Sequence, residues 1–345
     1  MTKEGKKLGG VEFFRFYFMV WICLFHIWTP FATPHANFGV EFFFILAGVF
    51  LYKSFIQYQL SPGQYAVKRF RRLFPAYIVG ITLAYGVFIV DTLRDSEPVK
   101  WLDLLMTYLP DALMVQETGA FYFPPVHAAT WFVGVLFIGG LLIYSFLAYN
   151  RKLALYLLFP CAILGIYALV FSNDLHLVDL FATESPLKGA IFLPLARGIA
   201  GMCLGVLLVV FNENNLPADR HLLLDVVSII SVIILTIYGF FIQAYYEPQM
   251  LILFCLLITS LLNPESIFNR IFKGRIWTFL GGITYEMLLM HIPCRFLINY
   301  AYSIIPHYRT LWILAYIGLT ILVSYLLKLG IQKVQLHLNQ KRSLA

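Results

Sequence analysis

Charge is what this chain has least of. Asp, Glu, Lys and Arg make up 12% of its 345 residues, half of the roughly 25% that soluble domains carry, and that excludes a soluble globular core. Cysteine is sparse and without pattern: Cys23, Cys161, Cys203, Cys255 and Cys294 all lie inside apolar runs, where neither metal-ligand spacing nor a disulfide framework can be read. His and acidic residues show no clustered ligand pattern either, so no metal is expected. Internal repeats and low-complexity tracts are missing. A small-residue cleavage site is missing too: the basic start MTKEGKKLGG leads into an apolar run that ends in LFHIWTPF. The first run is therefore expected to be a retained helix, not a removed signal peptide.

What the chain has in abundance is apolar and aromatic. Hydrophobic residues are 60% of the total, with 32 Phe and 21 Tyr. Runs of about 20 apolar residues, the length that spans hydrocarbon as a helix, recur from end to end. The sequence predicts an all-α polytopic membrane protein with about ten transmembrane helices, at 11–29, 37–56, 73–91, 128–149, 153–171, 189–211, 222–242, 247–262, 277–298 and 309–330. Polar or proline-containing breaks such as SPGQ, DTLRDSEPVK and NENNLPADR separate them. The eighth span is short, as a tilted or partly interfacial helix would be.

Orientation follows from Lys and Arg. One alternate set of loops holds sixteen of them, the other only Arg94, Lys100, Lys188 and Arg309. By the positive-inside rule both termini are cytoplasmic, and the net charge of +7 reflects loops facing the cytoplasm, not nucleic-acid binding. The chain then reads as one domain, 1–345, with a cytoplasmic basic loop at 57–72 and an acidic external loop at 91–127. Within the latter, WLDLLMTYLPDALMV can form a helix lying on the membrane.

Against this background the polar residues inside spans stand out. VEFFRFYFMVWICLFH, residues 11–26, carries Glu12, Arg15 and His26, which fall within about 60° of one another on a helix. His26 lies about 16 Å further out than Arg15 at 1.5 Å per residue. Glu41, Thr130, Trp131 and His291 come to the level of His26, while Thr284, His291 and Arg295 share one stripe of the ninth span. Two layers result. The inner one is cationic, Arg15 with the KRFRR run, in which Arg69 and Arg72 share a face; it suits phosphate groups. The outer one joins His26, His291 and Glu41, and suits proton transfer from a hydroxyl with His as base and Glu orienting it. Ionisable groups persist in lipid where they face a cavity, a partner or a substrate path.

Each position also has a bland reading. The four basic residues at 68–72 serve equally as positive-inside anchors, and His291 as packing glue between helices. Glu41 can pair with Arg295 or sit at a helix N-terminus. Glu12 is expected to pair with Arg15 or a neighbouring basic residue. Arg197 is either a buried counter-ion or a contact for an extended ligand arm, and Glu286 has no assignment. His35, His127 and His176 lie in or beside external loops and are expected to meet solvent. Gly201 and Gly205 mark close helix packing.

The motifs in order are E-x-x-R-x10-H, GVEFFFILAG, RFRRLFPAY and GGITYEMLLMHIP. Together they resemble the bacterial transmembrane acyltransferase family, type 3, whose members move acyl groups from cytoplasmic acyl-CoA to cell-surface glycans. The resemblance implies that His26 is catalytic and that Glu41 holds the acidic position of GVD-x-FF-x-x-SG. It implies that Arg15, Arg69 and Arg72, the last two ahead of Pro75, serve the donor. Trp131, Tyr285 and His291 are then the candidate acceptor pocket. Ala47, Thr284 and Leu288 depart from the pattern's Ser, Ser and Tyr, and TWFVGVLF has the Trp but not the Glu of W-S-L-x-x-E. The expected activity is O-acetyl transfer from acetyl-CoA, or another acyl-CoA used as co-substrate, to a cell-surface or lipid-linked polysaccharide, in a bacterial cytoplasmic membrane and with no permanently bound cofactor. Transfer can be direct or run through an acyl-histidine. The rival readings are a transporter or flippase for a lipid-linked sugar or small anion, against which the lack of repeats counts, and a sensor or assembly subunit without chemistry.

Overall fold

The computed structural model describes residues 8–27, 33–95, 97–116, 126–127, 129–172, 176, 193–215, 221–305 and 307–344. Every regular element among them is helical: α1 (Gly9–His26), α2 (Gly39–Tyr58), α3 (Pro62–Arg94), α4 (Trp101–Ala112) and α5 (Trp131–Tyr149). Then come α6 (Arg151–Leu153), continued by a π turn into α7 (Phe159–Ser172), α8 (Leu193–Asn215), α9 (His221–Phe241) and α10 (Glu247–Leu262). Last are the short α11 (Ile267–Ile271) and α12 (Arg275–Gly282), α13 (Thr284–Ile304) and α14 (Arg309–Leu344).

Among the described residues seven helices are long and apolar enough to cross a membrane: Ala36–Tyr58, Pro62–Arg94, Trp131–Tyr149, Arg151–Ser172, Leu193–Asn212, Leu222–Phe241 and Thr310–Leu338. Exposed Val90, Leu164, Phe211, Leu222 and Leu314 give the outside an apolar skin of the kind that meets lipid. Three expected spans fall short of that length and composition for reasons visible in their sequences. α10 has only 16 residues. α1 carries Glu12, Arg15 and His26, and α13 carries Glu286, His291 and Arg295. The helices that dilute their apolar character are the ones that bear the candidate site.

Two expectations about boundaries need correction. The span expected at 277–298 is broken between α12 and α13, because Gly281 and Gly282 are poor helix formers. Gly281 is also wedged against α1, where an added Cβ would come within 2.5 Å of the Glu12 carbonyl oxygen. The basic loop expected at 57–72 is mostly helix. Pro62 occupies the first turn of α3, Ser61 accepts from the Gln64 N–H (3.3 Å) and Gln64 returns a bond to the Ser61 N–H (3.0 Å). This capping box starts the helix six residues ahead of Lys68, so the basic run lies on a rigid surface.

The core sits between α2 and α8, where glycine permits backbone contact: a Cβ on Gly205 would lie 1.9 Å from the Ile45 carbonyl oxygen. α1, α3 and α13 form the other half of the molecule and run in one direction. Arg15 meets Thr284 while Arg295 reaches the His26 carbonyl. Tyr285 meets Leu73, and Gly80, two turns further on, packs against Leu289.

Candidate active site

At the start of α1, Arg15 is held from two sides. Its Nη1 donates to Glu12 Oε2 and its Nη2 to Thr284 Oγ1, both at 3.0 Å. Of the two partners expected for Glu12, Arg15 or a neighbouring basic residue, it takes Arg15. Two turns into α3, Arg69 donates to the Tyr65 hydroxyl at 2.8 Å, and its Nε is buried without a partner. Arg72 stands within electrostatic reach of Arg15, Arg69, Tyr65 and Tyr285. Among the described residues neither Arg69 nor Arg72 forms an ion pair with a carboxylate. Three guanidiniums thus gather with two carboxylates near them: Glu12, which serves Arg15, and Glu286, which stands within electrostatic reach of Arg15, Arg72 and Lys328. Lys68 and Arg71 take the opposite face, lining an open depression with Gly63, Gln64 and Val67. Arg69 and Arg72 share a helix face, as an i, i+3 spacing requires.

Tyr285 belongs to this end. Its hydroxyl donates to the Leu73 carbonyl at 2.9 Å, beside Arg69 and Arg72. Its place in the acceptor pocket is therefore corrected. It lies six residues before His291 on α13, about 9 Å along the axis.

At the far end of α1, the His26 and His291 rings meet edge to face, centroids 5.0 Å apart. His26 Nδ1 lies 2.8 Å from the Ile22 carbonyl oxygen. A carbonyl only accepts, so Nδ1 carries the proton and Nε2 keeps a bare lone pair. His291 repeats the device with Leu288 (2.8 Å) and Met287 (3.2 Å). It is wholly buried, and its Nε2 has no hydrogen-bond partner. Arg295 donates to the His26 carbonyl at 3.1 Å, which anchors the end of α1 to α13.

Glu41 does not orient His26. It is fully buried, and its Oε1 accepts from Arg197 Nε at 2.5 Å. Nor does it take Arg295; it occupies the first turn of α2. Height along a helix is readable from residue number, whereas azimuth is set by packing, and here packing turns Glu41 towards α8. The Arg197 guanidinium, 1% exposed, also lies over the Trp131 ring, 5.6 Å from its centroid. Trp131, at the start of α5, packs on Phe44. The outer layer is thus two clusters: a histidine pair on α1 and α13, and an ion pair capped by Trp131 on α2, α8 and α5.

Sequence reasoning missed one member of the histidine cluster. His127, expected in solvent, is wholly buried, with its ring centroid 5.9 Å from that of His291. The signal was local: Thr130 and Trp131 had been placed at the outer level, and His127 precedes them by one turn, its carbonyl accepting from both N and Oγ1 of Thr130. His35 is buried as well, stacked on Tyr238. His176 stacks on Tyr245. Among the described residues no three His, Cys, Asp or Glu side chains converge as metal ligands. A cavity of about 230 Å³ between α7 and α8, lined by Cys161, Gly165, Leu169, Leu193 and Ala196, presents no charged group.

The geometry therefore joins an arginine cluster at one end to an imidazole cluster at the other along one pair of parallel helices. Over residues 8–329 the sequence matches the model of the acyltransferase domain, family 3. No curated protein and no solved structure matches it. With a match covering nearly the whole length, on a helical frame that carries an arginine cluster and a histidine cluster, the chain belongs to the type 3 acyltransferase family.

Proposed function

We propose that this membrane acyltransferase is an O-acyltransferase, most simply an O-acetyltransferase. It would carry an acyl group from cytoplasmic acyl-CoA to a hydroxyl of a cell-surface or lipid-linked polysaccharide, in a bacterial cytoplasmic membrane. The observation that carries this reading is the pairing of α1 with α13. Arg15 and Thr284 touch at one end, His26 and His291 at the other, about 16 Å apart along α1. Adding α1, α10 and α13 to the seven long helices gives ten crossings, and with the Lys and Arg asymmetry both termini face the cytoplasm. The common direction of α1, α3 and α13 supports this, since they are then the first, third and ninth crossings.

In this scheme the donor's phosphates take Arg69, Arg72 and Arg15, whose forks suit bidentate binding of phosphate oxygens. The pantetheine arm runs between the helices and brings the thioester to His26. The acceptor, held on the outer side by His291 and Trp131, presents a hydroxyl. Its oxygen attacks the thioester carbon while His26 Nε2 takes its proton. The carbon–sulfur bond breaks, the ester is formed, and the proton returns to the departing thiolate. Ile22 and not Glu41 fixes the imidazole, through its carbonyl. Glu41 and Arg197 brace α2 against α8.

The test uses membranes containing the protein or its H26A variant at matched levels, incubated with labelled acetyl-CoA and the host glycan fraction. Alkali-labile label in glycan with the wild type and none with H26A is expected. Equal label from both removes His26 as base, and no label from either overturns the acetyl-CoA-to-glycan assignment.

A further inference from the structure

Proline at 293 leaves a gap that the rest of the molecule fills. In a regular helix the N–H of residue 293 would donate to the carbonyl of Leu289, four residues back. Pro293 has no N–H, and it lies inside α13, so that acceptor is freed. At membrane depth a freed carbonyl must find a donor within the protein. The donor is His127: its Nε2 lies 2.8 Å from the Leu289 oxygen. This bond fixes the His127 tautomer, with the proton on Nε2 and a bare Nδ1 that is buried without a partner.

The bond also ties together three elements. The His127 carbonyl accepts from Thr130 N and Oγ1, at 2.9 and 2.8 Å, so the imidazole hangs from the turn that starts α5. Gln116 Nε2 donates both to the Thr130 carbonyl (2.8 Å) and to the Tyr77 hydroxyl on α3 (2.7 Å). Tyr77 in turn donates to the Asp111 carbonyl at 2.6 Å, and Tyr85 to Asp111 Oδ2 at 2.8 Å. The network is pinned to α13 at Leu289, two residues before His291.

We propose that His127 is a positioning residue of the acyl-transfer site: plugged into the carbonyl that Pro293 frees, it seats the start of α5 against α13 and sets the His291 ring against His26. Leu289 and His291 share one turn of α13, and the His127 ring lies 5.9 Å from the His291 ring, edge to face. Trp131 sits one turn beyond His127, so the same tether places the indole as well. The turnover consequence rests on the acyl-transfer reading; the tether itself does not.

The test is a cycle of H127A, P293A and their double variant, with H127Q as the conservative rescue. P293A restores an amide proton at position 293, which competes with His127 for the Leu289 carbonyl. Amide hydrogen exchange is read first. H127A and P293A should each speed exchange over residues 130–134 at the start of α5, and P293A should not speed it in α13. H127Q keeps an N–H at the reach of Nε2 and should restore protection. In the acetyl-transfer assay H127A should lower kcat by about 10- to 100-fold, the effect of a small misplacement at a reacting centre, with the KM for acetyl-CoA unchanged. The double variant should be no worse than the worse single variant, because both act on one carbonyl. Unchanged exchange in both single variants would overturn the tether. Wild-type kcat in H127A, or effects that multiply in the double variant, would overturn the positioning role. Should the wild type itself transfer nothing, the acyl-transfer reading fails while the exchange result still decides the tether.

Discussion

The two ends of the α1–α13 pair solve opposite problems. The arginine end gathers like charges and compensates them only in part: Arg69 has a tyrosine hydroxyl, Arg15 pairs with Glu12, and Arg72 has no ion pair among the described residues, with Glu286 only within electrostatic reach. Such a cluster is stable only where water or a visiting anion can reach it, and Arg69 and Arg15 are half-buried while Arg72 is exposed. The histidine end gathers neutral rings, buries two of them completely and fixes each proton on a backbone carbonyl. Its one fixed charge is the half-buried Arg295, which donates to the His26 carbonyl. The difference teaches how charge is divided along one helix pair, and on the proposed function the first end would meet the donor's phosphates and the second the acceptor's hydroxyl.

The largest effect should come from the histidine end. H26A removes the only imidazole of the cluster that is part-exposed, and general-base catalysis contributes about 10² to 10⁴ in rate. Its kcat should fall by that order while the KM for acetyl-CoA holds, as measured by steady-state label transfer. A matched rise in donor KM would mean that the two ends are not separate.

The next effect tests the corrected role of Glu41. Removing one partner of a buried pair costs about 3–5 kcal/mol, whereas replacing both by apolar residues of similar volume is often neutral. E41A and R197A should therefore lower the melting temperature of the detergent-solubilised protein sharply, and E41L/R197M should recover most of it with normal turnover. If E41L/R197M is stable yet inactive, Glu41 or Arg197 acts in the chemistry after all.

At the arginine end, R69A and R72A should each raise the donor KM about 10- to 100-fold, since a hydrogen bond to a charged group contributes about 1.5–3 kcal/mol and each 1.4 kcal/mol is tenfold. kcat at saturation should hold, and raised salt should mimic the defect in the wild type. A fall in kcat without a KM change would move these arginines out of donor binding.

How much of this was legible beforehand follows from what a residue number encodes. Position along a helix gives depth at 1.5 Å per residue, so Arg15, His26 and His291 could be ordered across the membrane, and their stripes predicted which end meets which. Position does not give the facing partner. Glu41 shares a level with His26, but α2 packs on α8, and the carboxylate found Arg197. Tyr285 was carried to the acceptor side by its motif, although its own depth puts it at the arginine end. His127 was hidden because loop residues are expected in water; what buries it is a carbonyl freed 166 residues later by Pro293, a long-range match that periodicity does not record. The glycine pair that breaks α12 from α13 was in plain view, yet only contact with Glu12 shows why the break falls there.

The smallest effect concerns how the arginine end is held. Arg69 and Arg72 stand two to three turns beyond the Ser61–Gln64 capping box, so their aim depends on where α3 begins. S61A removes the acceptor for the Gln64 N–H (3.3 Å) at an exposed helix start, a change of about 1 kcal/mol. Pro62 still presets the first turn, so the helix should fray by a residue or two and not unwind. The donor KM should then rise about two- to fivefold, within that 1 kcal/mol, with kcat and the acceptor KM unchanged. An effect as large as that of R69A would mean that the cap, and not the spacing of the arginines, determines whether the donor's phosphates are bound.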